Sequence, residues 1–182
     1  MGSATFIIAA AVLLAAVLLV RGSASVRASW YLRMRCRARR AGRRVALTFD
    51  DGPDPQRTPA VLDLLARQGV RATFFVVGAR AEAHPELVRR MVAEGHVVGN
   101  HSYTHSWRFP LRSLGRTMEE LCRTGEVLHR ITGRQPRLFR PPFGVTNPTI
   151  ARAVRRLGLD PVGWSIRSLD TMGQSPERVA AR

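Results

Sequence analysis

Val45-Ala46-Leu47-Thr48-Phe49-Asp50-Asp51-Gly52-Pro53 decides how the rest of the chain is read. Five residues of strand character end in two adjacent carboxylates and a Gly-Pro turn. Asp, Gly and Pro all favour turns, so taken alone this is only a strand stop. The chain that follows repeats the pattern. Thr58 is expected to cap a helix with Pro59 in its first turn, running through Val61, Leu62, Leu64 and Leu65 to Gly69. Ala72-Thr73-Phe74-Phe75-Val76-Val77 reads as a buried strand closed by Gly78. His84-Pro85 opens a helix through Leu87, Val88, Met91 and Val92, and Val97-Val98-Gly99 is a strand that delivers His101. Ser113 to Ile131 reads as a long amphipathic helix ended by Gly133. Leu138-Phe139-Arg140 is the next strand, Asn147-Pro148 opens a helix through Ile150, Ala153, Val154 and Leu157, and Pro161 to Ile166 is the last strand. Alternating strands and helices predict an α/β fold with a parallel sheet and helices outside it. In such folds active residues gather at the carboxyl ends of strands.

Four chemistry-bearing motifs fall at those ends. His101 and His105 are four apart, a spacing that on a helical turn puts both imidazoles on one side. Two surface histidines alone are more often merely solvated. With Asp51 they become two imidazoles and a carboxylate, which leave a zinc ion an open fourth position for water. Asp50 and Asp51, as strand neighbours, point in different directions, so one can ligate while the other faces the reacting water. Arg140 ends an apolar strand just before Pro141-Pro142, whose rings fix the following backbone. Its guanidinium can orient a carboxylate, and the fixed turn can aim the Phe143 N–H at a developing oxyanion. In a chain this rich in arginine, a surface charge is the bland reading of Arg140, and core filling is that of Phe143. The fourth motif, Trp164-Ser165-Ile166-Arg167-Ser168-Leu169-Asp170, adds a later carboxylate.

The N-terminus is of another kind. Thr5 to Val20 is apolar after its first residue, and Arg21 follows. A spanning helix needs about 17–25 such residues, so the run sits near that lower limit. Residues 1–22 are expected to be a membrane anchor, with a cleaved signal segment as the alternative. Residues 23–43 read as a basic linker and 44–182 as the catalytic domain. Nine arginines lie from Arg21 to Arg44 with no acid before Asp50. The positive-inside rule would keep that flank cytoplasmic, against the outward placement that a cell-wall or secreted polymer would require. Net charge is +16 and there is no lysine. The charge is only partly focused and lacks an interleaved aromatic platform, which argues against nucleic acid and for attraction of the Arg-rich flank to membrane lipid. Two cysteines, Cys36 and Cys122, make no disulfide framework.

The order and spacing of Thr48-Phe49-Asp50-Asp51-Gly52-Pro53, His101-Ser102-Tyr103-Thr104-His105 and Arg140-Pro141-Pro142-Phe143 resemble the first three motifs of the polysaccharide deacetylases. These are the NodB-homology domains of carbohydrate esterase family 4. The resemblance covers about residues 44 to 182. It implies a distorted (β/α) barrel of the NodB type, here incomplete at its C-terminus and preceded by a hydrophobic helix. By resemblance Asp50 is the general base, Asp51, His101 and His105 bind the metal, Arg140 pairs with Asp50, and Phe143 lends its N–H. Asn100 is a supporting residue, and Asp170 would tune Arg140. The metal implied is Zn2+, with Co2+ or Ni2+ as alternatives. The substrate implied is an acetylated polysaccharide or oligosaccharide, hydrolysed to release acetate.

The fourth motif departs from the family pattern, with Arg167 where a first acid is usual and Thr171 where an aromatic residue is. The family's late Leu-x-His does not occur before Arg182, and His84, His96 and His129 read as solvated or structural. The sequence is therefore expected to be a C-terminally truncated member. The alternatives are a weak or inactive carbohydrate-binding member of the same fold, and a basic membrane-surface protein whose barrel is incidental.

Overall fold

A computed structural model describes residues 2–25, Arg27, 29–38, 42–168, Gly173 and 175–181. A 23-residue helix, α1 (Gly2–Ala24), comes first. The domain then runs β1 (Thr48–Phe49), α2 (Thr58–Arg67), β2 (Thr73–Val76), α3 (Gly78–Ala83), α4 (Pro85–Ala93), β3 (Val97–Asn100), α5 (Leu114–Thr132), β4 (Leu138–Phe139), α6 (Pro148–Arg156) and β5 (Asp160–Pro161). A short helix, α7 (Pro176–Ala180), lies near the C-terminus.

The five strands are all parallel and lie in chain order, β1-β2-β3-β4-β5. Sequential order is that of a barrel wound in one direction, because each right-handed crossover puts its helix on the same outer side. Among the described residues the result is an α/β barrel wall that stops short of closure, with β1 and β5 as its outermost named strands.

Local chemistry sets the starts of α5, α6 and α7. Ser113 caps α5 by accepting from Arg116 N, and Gly133 ends it in the left-handed conformation (φ 71°). Asn147 Oδ1 caps α6 by accepting from Ile150 N at 2.8 Å. The expected Thr58 cap is not what forms. The helix already includes Thr58, whose Oγ1 accepts from Asp54 N at 2.8 Å, while Asp54 Oδ1 accepts from Gln56 N and Arg57 N. The strand read as ending at Gly78 is followed at once by α3, a helix too short to show a period. Gly78 is required there, because a Cβ would meet Thr124 Oγ1 and the Tyr103 ring at 2.7 Å.

Two apolar clusters hold the helices to the sheet. Leu62, Leu65, Phe74, Val76, Val88, Met91 and Leu128 form one, and Phe109, Leu121, Phe139, Ile150 and Val154 are the centre of the other. Fully burying a side chain such as Leu62 or Phe139 contributes about 1.5–3 kcal/mol. Part of the stretch read as a linker joins the second cluster. Leu32 and Met34 are 4% and 7% exposed, and Cys36 packs beside them. Arg35 pairs with Val162 as a parallel bridge, with Arg35 N donating to Pro161 O at 2.9 Å and Arg35 Nη2 to Asp160 Oδ1 at 2.8 Å. The open edge of β5 is thus covered, which removes an unpaired row of backbone groups.

Candidate active site

Each motif stands where its strand ends. Asp50 and Asp51 follow β1, His101 follows β3, Arg140 follows β4, and Val162 to Trp164 follow β5. Asp51 is left-handed (φ 67°), which turns its carboxylate away from that of Asp50. Asp50 Oδ1 accepts from Arg140 Nη1 at 2.7 Å. Asp51 Oδ1 faces the histidines, 3.3 Å from His101 Nε2 and 3.1 Å from His105 Nε2.

His101 and His105 meet, but not on a helical turn as their spacing suggested. Residues 101–106 form no helix, because Ser102 (φ 66°) and His105 (φ 49°) are left-handed. The loop is built by hydrogen bonds instead. Asn100 Oδ1 accepts from Ser102 N at 2.9 Å, and Ser102 Oγ accepts from His105 N at 3.1 Å. Glu120, buried on α5, accepts from Tyr103 N, Thr104 N and Thr104 Oγ1. Asn100 Nδ2 ties the loop's start to α5 through Leu121 O at 2.9 Å. The rings end with centroids 4.8 Å apart.

The geometry fits a cation. One ligand atom each from Asp51, His101 and His105 lies within 4.8 Å of the others. Asp51 Oδ1 is buried with no aligned donor, an orphaned acceptor of the kind a metal would satisfy. His101 Nδ1 lies 2.8 Å from Arg140 O. A carbonyl can only accept, so Nδ1 carries a proton, and on giving up any second proton the ring would present Nε2 to a metal. The approach of His101 does most to hold the Asp51 carboxyl below its ordinary range. Burial opposes that, and the charges of His105, His101 and Arg80 reinforce it. Burial pushes His105 below the ordinary imidazole value, helped by His101 and opposed by Asp51. Both shifts favour the proton-free forms that bind metal.

Arg140 is the least surface-like arginine among the described residues, 2% exposed. Its guanidinium crosses the barrel interior and joins both edges of the sheet. Nη1 donates to Asp50 Oδ1 and to Thr48 Oγ1 (2.8 Å), Nη2 to Gly163 O (2.9 Å) and Nε to Val162 O (3.3 Å). The rings of Phe75 and Trp164 lie 4.2 and 5.3 Å from its Cζ. Phe143 follows Pro141-Pro142 in a left-handed conformation (φ 59°), and its ring lies tilted against that of His105 with centroids 4.7 Å apart. The turn's own bonds run from Gly144 N to Pro141 O and from Val145 N to Pro142 O, leaving the Phe143 N–H unspent.

Asp170 and Thr171 lie outside the described residues. His84, His96 and His129 are not in the ligand cluster. His96 Nδ1 accepts from Ala72 N at the amino end of β3, and His84 lies 3.6 Å from Glu86. Sequence reasoning missed Glu120, the carbonyl of Arg140 that orients His101, and the carbonyls of Val162 and Gly163. Glu120 left a signal, a carboxylate on the apolar face of α5 between Thr117, Leu121 and Thr124.

Comparison with known proteins bears on this geometry. A family model described as polysaccharide deacetylase matches residues 37–162. The chain is 38% identical over 140 residues to a peptidoglycan-N-acetylglucosamine deacetylase of Bacillus cereus, covering 74% of this chain and 49% of that protein. It is 38% identical over 139 residues to a chitooligosaccharide deacetylase of Bradyrhizobium, covering 76% and 64%. A family 4 carbohydrate esterase from Streptomyces lividans, solved in complex with acetate, superposes with a TM-score of 0.72 at 38% identity, covering 75% of this chain and 70% of that one. The chain spans about half or less of the length of the first curated relatives it matches.

Proposed function

The chain belongs to the polysaccharide deacetylase family, and on that premise we propose that it is a metal-dependent hydrolase that removes acetyl groups from an N-acetylglucosamine-type polysaccharide. The observation that carries the reading is the convergence of Asp51, His101 and His105 beside the Asp50–Arg140 pair.

Asp51 Oδ1, His101 Nε2 and His105 Nε2 would hold the ion, with Zn2+ the best match to two imidazoles and a carboxylate. Bound there, the ion would supply Lewis acidity and make water more acidic. The remaining chemistry belongs to the chain. Asp50 is the general base, and it removes a proton from the water that attacks the acetyl carbon. Arg140 keeps the Asp50 carboxylate in one orientation through a 2.7 Å bond. As the carbonyl oxygen gains charge it accepts from the Phe143 N–H, whose turn is preset by two prolines and costs no reorganisation. Breaking the bond from the acetyl carbon to nitrogen, with the proton held by Asp50 passed to that nitrogen, then yields acetate and a free amine on the sugar.

The relatives' names place their substrates in peptidoglycan or chitin-like oligomers. An outward-facing domain held by α1 would suit such a substrate. Thr5–Ala24 is long and apolar enough to cross a membrane, with mean hydropathy 2.4.

The test is acetate release from N-acetylglucosamine oligomers by the full chain, with and without chelator, and with Asp50→Ala. Turnover that chelator abolishes and Asp50→Ala suppresses is expected. Robust turnover in chelator refutes the metal mechanism.

A further inference from the structure

The apolar side chains of α1 have no protein to cover them. Phe6, Ile7, Val12, Leu13 and Val20 are all more than 60% exposed. Its carboxyl end is nonetheless fixed to the domain. Thr146 N donates to Ser23 O at 2.9 Å, and Thr146 is 2% exposed. Gly22 lies so close to the Trp30 ring that a Cβ there would be 2.5 Å from it. Arg27 Nη2 donates to Ser165 O.

The places where α1 is tied are telling. Thr146 is on the loop after β4, three residues beyond Phe143, and Ser165 is on the loop after β5. Asn147 Nδ2, next to Thr146, donates to Pro110 O at 2.6 Å, which brings in the loop beyond His105. Three loops at the carboxyl ends of the strands, the end that carries the ligand cluster, therefore meet where α1 stops.

Those loops also carry unusual surface chemistry. Trp107, Leu111, Phe143 and Ile166 are 67%, 77%, 46% and 66% exposed. Arginines are interleaved with them: Arg108 lies over Trp107 and Arg167 over Trp164. Aliphatic residues such as Val45, Val70 and Val97 are exposed at the amino ends of the strands too. Outside α1, however, the aromatic residues among the exposed large hydrophobics are Trp30, Trp107 and Phe143, all on the side of α1. Exposed tryptophan with interspersed arginine is the composition of a surface that sits at the lipid headgroups.

We propose that the catalytic face lies against the membrane surface, docked by α1 and by the Trp107, Leu111, Phe143 and Ile166 rim. The substrate class this selects is an acetylated glycan anchored in the lipid, whose sugars enter the site from the membrane side, rather than a polymer remote from it. The inference rests on the reading of α1 as a membrane span and of the site as a deacetylase.

The test uses the full chain in vesicles of anionic and zwitterionic phospholipid, in a Cys36→Ser, Cys122→Ala background. A fluorophore is placed at Leu111→Cys on the catalytic face or at Val45→Cys at the opposite end. Lipids with a nitroxide on the headgroup should quench the Leu111 label several-fold more than the Val45 label. Equal quenching, or stronger quenching at Val45, overturns the proposal. So does a Leu111 label that lipid nitroxides leave bright while a soluble N-acetylglucosamine oligomer shields it, since the rim would then be a sugar platform. Co2+ uptake by the same vesicles, lost in His101→Ala, reports separately on the metal site. Its failure would sink the deacetylase reading without touching the docking result.

Discussion

Replacing Arg140 with alanine tests whether one buried guanidinium joins the two edges of an unclosed barrel. Arg140 is 2% exposed and donates to Asp50, Thr48, Val162 and Gly163. Removing one partner of a well-buried ion pair costs about 3–5 kcal/mol, because the other charge is left uncompensated. Asp50, however, is 30% exposed, so water takes over part of that role and this contribution falls to the low end. The stranded carbonyls add to the loss, each bond to a charged donor being worth about 1.5–3 kcal/mol, though bonds sharing one guanidinium do not simply add. The lost contact with Phe75 and Trp164 is worth about 1 kcal/mol. A total near 4 kcal/mol follows, and at roughly 2–4 °C per kcal/mol for a domain of this size the midpoint falls by about 8–16 °C. The assay is thermal unfolding of the full chain in mild detergent, followed by far-UV circular dichroism. Asp50→Asn should cost only about 1 kcal/mol, since it disturbs one bond of the set. Arg140→Lys should recover little, because a single ammonium cannot serve Asp50 and Gly163 O together. A fall of less than about 4 °C for Arg140→Ala would refute the reasoning. So would full rescue by lysine.

Other expectations follow from the same geometry. Glu120→Gln keeps the shape but weakens the acceptor for Tyr103 N and Thr104 N, so Co2+ affinity should fall about 10–100-fold while far-UV signal is kept; unchanged affinity would show that the loop needs no help from α5. His105 is held neutral by burial, so the unfolded chain binds its proton first, and metal-free stability should fall as pH drops below about 6.5, with His105→Asn flattening that slope; a slope of opposite sign would contradict the burial argument. Leu32→Ala should cost about 2–5 kcal/mol in urea unfolding, as for a core residue; a loss near zero would return residues 29–38 to the status of a tether.

What was legible in the sequence was the part governed by period and punctuation. Alternating strands and helices give the parallel order because each unit is short and ended by glycine, as at Gly69, Gly95, Gly133 and Gly158. Asn147-Pro148 and Ser113 mark helix starts because their side chains do the capping locally. Burial of Leu32 and Met34 was not legible. Arginines alternate with them at Arg33, Arg35 and Arg37, and the sequence alone cannot tell a half-buried edge segment from a charged tether. Its neighbour is Val162, more than a hundred residues later, so the decision is made by tertiary pairing. Glu120 was hidden for a related reason, since its partners lie on a loop that no local pattern brings to α5.

The expectation of a helical turn from His101 to His105 failed at the place where function makes failure informative. Among the described residues, Asp51, Ser102, His105 and Phe143 account for four of the five left-handed residues that are not glycine, and all four lie in or around the ligand cluster. Each such residue costs on the order of 1–3 kcal/mol relative to relaxed backbone. A helical turn would have spared that cost and stacked the imidazoles along an axis. The strained loop instead brings both Nε2 atoms to one Asp51 oxygen and lets the Arg140 carbonyl fix the tautomer of His101. Glycine at Ser102 would relieve strain, but it would remove the hydroxyl that accepts from His105 N. The same bond explains why serine stands there. Local propensity yields to the fold where the ligands must converge, and the buried Glu120 and Asn100 hold that geometry in place.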